Sequence, residues 1–273
     1  MRNYENISRK SWIERAKVAD DLANNSPIGE AKMPNFQGAN LPMANLQNIN
    51  LSFANLHGAN LQCANLQRAN LHGANLNGAN LQNANLNYAS IHNASLSCAN
   101  LHEANLQGAN MYATDIQCAN LQNANLYGAN LGQTNMFKAD LRYANLERAN
   151  LQGATLFKAN LERANLEDSN LEKTRFPQVN FRNANLQGAN LLRAKLQRSN
   201  LSGANLERAN LESVVFTKTN LQNANLSEAN LEGTNFREAY LVGVDFYKSN
   251  MCERTDLTGA TIDDGEGNHY TIR

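Results

Sequence analysis

The strongest constraint on this chain is a repeat of five residues. From Phe36 to Met251 a large apolar residue stands at every fifth position without insertion or deletion, and 33 of these 44 positions are Leu. A small residue, usually Ala, stands two positions before each of them, and Asn usually lies between the two. The unit is therefore Ala-Asn-Leu-x-x. A short period sustained over this length is typical of stacked repeat proteins.

A period of five fits neither regular secondary structure. A helix would rotate successive Leu residues by about 140° and leave no continuous apolar stripe. A straight strand would place successive Leu residues on opposite faces. A chain that turns a corner every five residues directs each Leu and Ala inward and the other three positions toward water. The pattern therefore predicts a solenoid in which each coil is buried by its neighbours.

The tandem Ala-Asn-Leu-x-x units resemble the pentapeptide repeat proteins over roughly residues 34 to 262. This resemblance implies an all-β fold, a right-handed quadrilateral parallel β-helix with four units in each coil of 20 residues, and hence about 11 coils. We expect residues 1–33 to form an N-terminal capping segment with a helix, residues 34–262 the β-helix, and residues 263–273 a C-terminal cap.

Both ends of the repeat carry signals for a cap, which a solenoid needs to cover its terminal coils. Ser11 and Glu14 have the spacing of a capping box, and apolar residues at helical spacing follow over residues 11–24. This segment predicts a helix packed over the first coil; a partner-binding helix is the alternative. At the other end, the step from Met251 to Leu257 is six residues, which indicates one inserted residue. We expect residues 268–273 to add a short closing strand.

Residues 20 apart should stack on one face, so the sequence can be read as a map of the surface. One face, at positions 15, 17 and 18 of each 20-residue coil, becomes basic in the C-terminal half and carries two Phe residues in register. Arg175 and Lys195 there replace the usual Asn. Adjacent like charges are mildly destabilising, so their stacking suggests a docking face for an acidic protein partner, with ordinary solvated surface as the alternative. The candidate partner-binding residues are Phe137, Lys138, Phe157, Lys158, Arg175, Lys195, Arg198 and Lys218.

Signals for catalysis or metal binding are weak. His72 and His92 are 20 apart, but zinc would need a third or fourth ligand. Cys98 and Cys118 also stack, at a spacing compatible with a disulfide, although two reduced thiols are the simpler interpretation. Nucleophile-elbow, P-loop and metalloprotease motifs do not occur. The sequence predicts no enzyme, no cofactor and no metal.

Charge narrows the function classes further. The 24 basic and 24 acidic residues cancel, which disfavours direct binding to nucleic acid and membrane association of electrostatic origin. We expect a non-enzymatic, rod-like scaffold for protein–protein interaction. The resemblance offers a second function, a DNA mimic that modulates DNA gyrase or topoisomerase IV and confers drug or toxin resistance, but that mechanism needs a strongly acidic surface. A bacterial effector is a third possibility.

The remaining expectations concern location and assembly. No apolar run is long enough to span a membrane, and residues 1–17 lack the apolar stretch of a secretory signal. Four cysteines without a C-x-x-C pair fit a reducing cytoplasm. A monomer and an end-to-end dimer both remain open.

Overall fold

The computed structural model describes residues 35–263 and 268–273, together with Ile13. Parallel bridges join each residue at the Asn position to the residue 20 positions later, from Asn35↔Asn55 through Asn230↔Asn250. Each coil contributes four such bridges, one on each of four faces. The chain is a right-handed parallel β-helix of the predicted class.

A tight turn forms every corner of the coil. In the unit that begins at Leu61, the N–H of Ala64 donates to the Leu61 carbonyl at 3.0 Å, and Cys63 between them has a φ of 55°. A positive φ at this place is the mark of a type II turn. The same sign recurs at every fifth residue from Gly38 to Lys248, mostly in residues other than Gly. Each is held there by the coil above; the N–H of Cys63, for example, donates to the Gln82 carbonyl at 2.8 Å.

The core is a column of Leu and Ala side chains along the axis. Leu61, Leu126 and Leu206 are fully buried, as are Ala59 and Ala129, which confirms the predicted inward positions. Burial of each Leu contributes about 1.5–3 kcal/mol. Where Thr or Ser replaces the Ala, the buried hydroxyl finds a backbone acceptor. This placement satisfies a polar group that would otherwise destabilise the core.

The Asn residues form hydrogen-bonded rows along the rod. The Oδ1 atom of Asn165 accepts the N–H of Glu167 at 3.3 Å and the Nδ2–H of Asn185 at 3.0 Å. Its own Nδ2 donates to the Oδ1 of Asn145 at 3.3 Å. Asn165 thus closes the local turn and ties its coil to both neighbours, and many other Asn residues of the rows make the same kinds of contact. This arrangement gives the Asn rows a structural role, as their suitability for turns suggests.

The C-terminal end departs from the 20-residue register by one residue. Asn235 bridges Asp256 and Tyr240 bridges Thr261, 21 positions apart, so the predicted insertion lies between Asn250 and Asp256. Two short strands close this end, β1 (Thr261–Asp263) and β2 (His269–Thr271), which pair antiparallel. The strand expected within residues 268–273 is therefore present.

The predicted N-terminal helix lies almost wholly outside the described residues. Ile13 alone is described; its backbone is helical, and its partly buried side chain packs against the core. The rest of the capping segment stays a prediction.

Candidate functional site

The eight candidate residues lie together on one face of the rod. The bridges Asn135↔Thr155, Thr155↔Arg175, Arg175↔Lys195 and Lys195↔Val215 place five successive coils side by side. We call this surface, residues 135–138, 155–158, 175–178, 195–198 and 215–218, the basic face. Stacking at 20-residue intervals therefore brings residues that are far apart in the sequence onto one strip.

Phe137 and Phe157 form the apolar part of the basic face. Their ring centroids are 5.7 Å apart, with 26° between the ring planes. The amine of Lys138 lies 5.2 Å from the Phe137 centroid, and that of Lys158 lies 5.1 Å from the Phe157 centroid. Both side chains are partly buried. The two lysines cover the rings, and cation–π attraction explains why like charges tolerate this stacking.

The three cations farther along the face are uncompensated. Arg175, Lys195 and Arg198 are exposed, and none forms an ion pair with another described residue. Lys218, by contrast, pairs with Glu238 at 3.2 Å. The positive charge without an acidic partner therefore extends over the two coils between the Phe pair and the Lys218–Glu238 pair.

The Asn row is interrupted along this same stretch. Thr155, Arg175, Lys195 and Val215 occupy its positions on four consecutive coils. On each of the other three faces, no two consecutive coils between residues 40 and 250 lack an Asn or Asp at this position. The sequence analysis noted Arg175 and Lys195 but missed Thr155 and Val215. Comparing the Asn position at intervals of 20 residues would have revealed the whole interruption.

A shallow groove follows the interruption on its C-terminal side. It is open to solvent, has a volume of about 480 Å³, and its lining includes Pro177, Gln197, Arg198, Thr217, Lys218 and Glu238. The groove brings backbone and side-chain donors next to a cation. Its shape and openness suit a side chain or segment of a macromolecule better than an enclosed small molecule.

The opposite face carries the acidic residues that balance the basic face. Several of them are paired locally: Glu147 with Arg148 at 3.9 Å, and Arg208 with Glu228 at 3.0 Å. The pairing leaves a mixed surface there. The C-terminal half of the rod is thus electrically asymmetric, with unpaired Arg175, Lys195 and Arg198 together on the basic face and acidic residues on the opposite face.

The two histidines lie on a different face, where their rings contact each other. The rings of His72 and His92 stack with centroids 4.0 Å apart and 21° between planes. The His72 Nδ1–H donates to the His92 carbonyl at 3.0 Å. Partial burial, and then the neighbouring His72, lower the pKa of His92. No group of three or more potential ligands occurs among the described residues.

The cysteine pair is likewise unremarkable chemically. Cys98 and Cys118 are exposed free thiols.

Within the described part of the chain, no helix has the length and apolar character needed to cross a bilayer.

The fold and the sequence agree with one family. The model of the family described as Pentapeptide repeats matches residues 35–63, 64–97, 94–133, 134–172, 174–212 and 215–251. This chain belongs to the pentapeptide repeat family. No curated protein matches it.

Solved structures of the same family are similar to this chain. HetL, a pentapeptide repeat protein involved in heterocyst differentiation regulation from the cyanobacterium Nostoc sp. strain PCC 7120, is 35% identical, with 74% of this chain and 90% of HetL covered and a TM-score of 0.72. Rfr23, from the cyanobacterium Cyanothece 51142, is 33% identical over 40% of this chain and 60% of its own, with a TM-score of 0.25. QnrB1, a plasmid-mediated fluoroquinolone resistance protein, is 16% identical over 74% of this chain and 88% of its own, with a TM-score of 0.34.

Proposed function

We propose that this protein is a non-enzymatic scaffold that docks a protein partner on its basic face. The observation that supports this most strongly is the combination of a stacked Phe pair with three unpaired cations on adjacent coils. Apolar anchors supply much of the binding energy at protein interfaces, whereas complementary charge governs the association rate and the choice of partner. The basic face offers both over one continuous strip.

The similarity to HetL supports a regulatory setting for this scaffold. HetL takes part in the regulation of a differentiation process, and it shares the rod over most of its length. We include in the proposal that the present chain acts by binding a regulatory protein. We also place this activity in the cytoplasm, because all four cysteines are free thiols and a reducing compartment keeps them so.

Site-specific photo-crosslinking tests the position of the contact. The photoreactive residue p-benzoylphenylalanine would replace Phe157 on the basic face or, as a control on the opposite face, Glu167. In cells of the native organism, we expect a discrete crosslinked protein from position 157 and not from position 167. Equal crosslinking from both positions, or crosslinking from 167 alone, contradicts the proposal.

Binding kinetics with the captured partner then test the two parts of the face. Replacing both Phe137 and Phe157 with Ala should increase the dissociation rate, because the apolar anchor is lost. Replacing Lys158 and Lys195 with Glu should slow association at low salt, and added salt should reduce the difference. If both double variants bind like the parent, the basic face is ordinary solvated surface.

A further inference from the structure

The interruption of the Asn row leaves backbone donors without partners. On the flanking coils, the Oδ1 of Asn135 accepts the N–H of Phe137 at 3.2 Å, and the Oδ1 of Asn235 accepts the N–H of Arg237 at 2.9 Å. On the four coils between them, no Asn stands at the equivalent position of the basic face. The N–H groups of Phe157, Gln197 and Thr217 accordingly have no acceptor among the described residues.

Pro177 likewise lies at a position where the Asn acceptor is missing. On the coil of Arg175 the equivalent residue is Pro177, which has no N–H to satisfy. The row therefore consists of three free donors, on the coils of Thr155, Lys195 and Val215, with the Arg175 guanidinium on the coil between them. In most other turns of the rod an Asn amide oxygen accepts this N–H, as at Asn165, or an Asp carboxylate oxygen does, as at Asp115; the N–H groups of His92 and Val242 are exceptions. A carboxylate oxygen supplied from outside has the same geometry and a charge that Arg175 and Lys195 complement.

The spacing of the row indicates which acidic structure fits it. Adjacent coils are about 4.8 Å apart. Residues three and four apart in an α-helix rise by about 4.5–6 Å, so acidic residues on one helix face repeat at nearly this distance. Alternate residues of an extended strand repeat at about 6.8 Å. Phosphates along one DNA strand rise by about 3.4 Å each.

We propose that the basic face binds an acidic α-helix of the partner protein, laid along the rod, with Asp or Glu side chains in the places of the missing Asn side chains. This inference rests on the proposed docking function and specifies its partner. The four interrupted coils span about 14 Å, which corresponds to about ten helical residues. At one end the Phe137–Phe157 pair contacts an apolar residue of the helix. At the other end Glu238 repels further acidic residues.

A synthetic peptide tests the inference without a known partner. The probe is a lactam-bridged helix of about 15 residues, long enough to hold a helix in water, with Glu residues repeating along one face. A peptide of the same composition in scrambled order is the control. In ¹⁵N-labelled protein, we expect the helical peptide to shift the amide protons of Phe157, Gln197 and Thr217 downfield and to leave that of Arg237 in place.

Two variants at one position separate the backbone donors from the general charge. Val215→Asn restores the acceptor for the Thr217 N–H without changing the net charge, and Val215→Ala removes the side chain without adding an acceptor. We expect Val215→Asn to weaken peptide binding about tenfold, the effect of one lost hydrogen bond to a charged group. Val215→Ala should bind like the parent.

Three results would overturn the inference. Equal binding by Val215→Asn and Val215→Ala would exclude the free N–H groups as the site. Equal binding of the scrambled peptide would exclude the helical spacing. Tighter binding of a DNA duplex than of the helical peptide would make nucleic acid the ligand. The first two results leave the docking function intact if crosslinking from position 157 persists, so the failures of the two proposals are distinguishable.

Discussion

Phe137 and Phe157 stack across adjacent coils, 5.7 Å between ring centroids, and each ring lies under the lysine that follows it in the sequence. The two Phe residues therefore have a role in stability and a role in contact. Most of each side chain is buried, which contributes to stability, and a smaller part remains exposed and available for contact. A change at either Phe therefore affects folding as well as binding, and the two effects have to be measured separately.

We expect Phe137→Ala and Phe157→Ala to be coupled in their effect on stability. Each single variant should lower the free energy of unfolding, and the double variant should lose less than the sum, by about 0.5–1.5 kcal/mol, because the ring–ring contact is removed by either change. Urea unfolding of the parent, the two single variants and the double variant gives the coupling energy. Strict additivity would show that the rings do not interact in solution.

The five-residue period was sufficient to predict a solenoid and its inward residues. Four units per coil, and hence the stacking of residues 20 apart, followed from the resemblance to the pentapeptide repeat proteins, and the bridges confirm this register. The insertion was also predictable, because the step from Met251 to Leu257 changes the period by one residue, and the bridge Asn235↔Asp256 confirms it. Once the length of the coil is given, a strict repeat determines which residues stack before any side-chain conformation is known.

The five-residue period does not predict side-chain conformations or unpaired backbone N–H groups. The partial burial of Phe157 depends on how its ring packs against Phe137 and under Lys158, which the period does not specify. The N–H of Thr217 is free because Val215 lacks the side-chain oxygen that Asn provides at this position. This consequence follows only once the structure shows that Asn accepts the N–H two residues later. The His72 and His92 rings show the same limit, since the period places the two side chains next to each other but does not specify that their rings stack.

The charge distribution of this protein predicts that it has no effect on DNA gyrase. We expect the purified protein neither to inhibit supercoiling nor to protect the enzyme from a quinolone at micromolar concentration. A DNA mimic needs a dense negative surface, whereas this chain has no net charge and a basic face. A supercoiling assay with and without the quinolone checks this. Clear protection at that concentration would favour the resistance function over docking on the basic face.

The stacked histidines predict a modest loss of stability in acid. Burial and the neighbouring His72 lower the pKa of His92 below its ordinary value of 6.5. The unfolded chain therefore binds a proton at higher pH than the folded chain does. Stability is unaffected well above pH 6.5 and decreases as pH falls through that value toward the lowered pKa of the folded state.

Histidine titration by NMR measures this directly. In the folded protein the pKa of His92 should lie below 6.5, and His72→Gln should raise it by removing the charged neighbour. The melting temperature of His92→Gln should fall less between pH 7.5 and pH 5.5 than that of the parent, in line with the proton linkage around a pKa of about 6.5. An unchanged pKa in His72→Gln would show that the two rings do not interact.

The Asn rows predict opposite effects of removing and adding one Asn. Asn165→Ala deprives the Glu167 N–H of its acceptor and breaks the amide contacts to both neighbouring coils, so the free energy of unfolding should fall by about 1–3 kcal/mol. Val215→Asn supplies an acceptor where the row is interrupted and should raise it by about 0.5–1.5 kcal/mol. Val215→Ala is the control and should produce no gain.

The sign of the Val215→Asn effect is the informative result. A substitution that stabilises the rod while weakening the binding of an acidic helix would mean that the interrupted row sacrifices stability for recognition, as functional sites commonly do. Chemical denaturation and peptide titration on the same protein samples give both quantities. If Val215→Asn leaves stability unchanged, the Thr217 N–H is already satisfied by water, and the interruption lacks the energetic consequence expected of a built site.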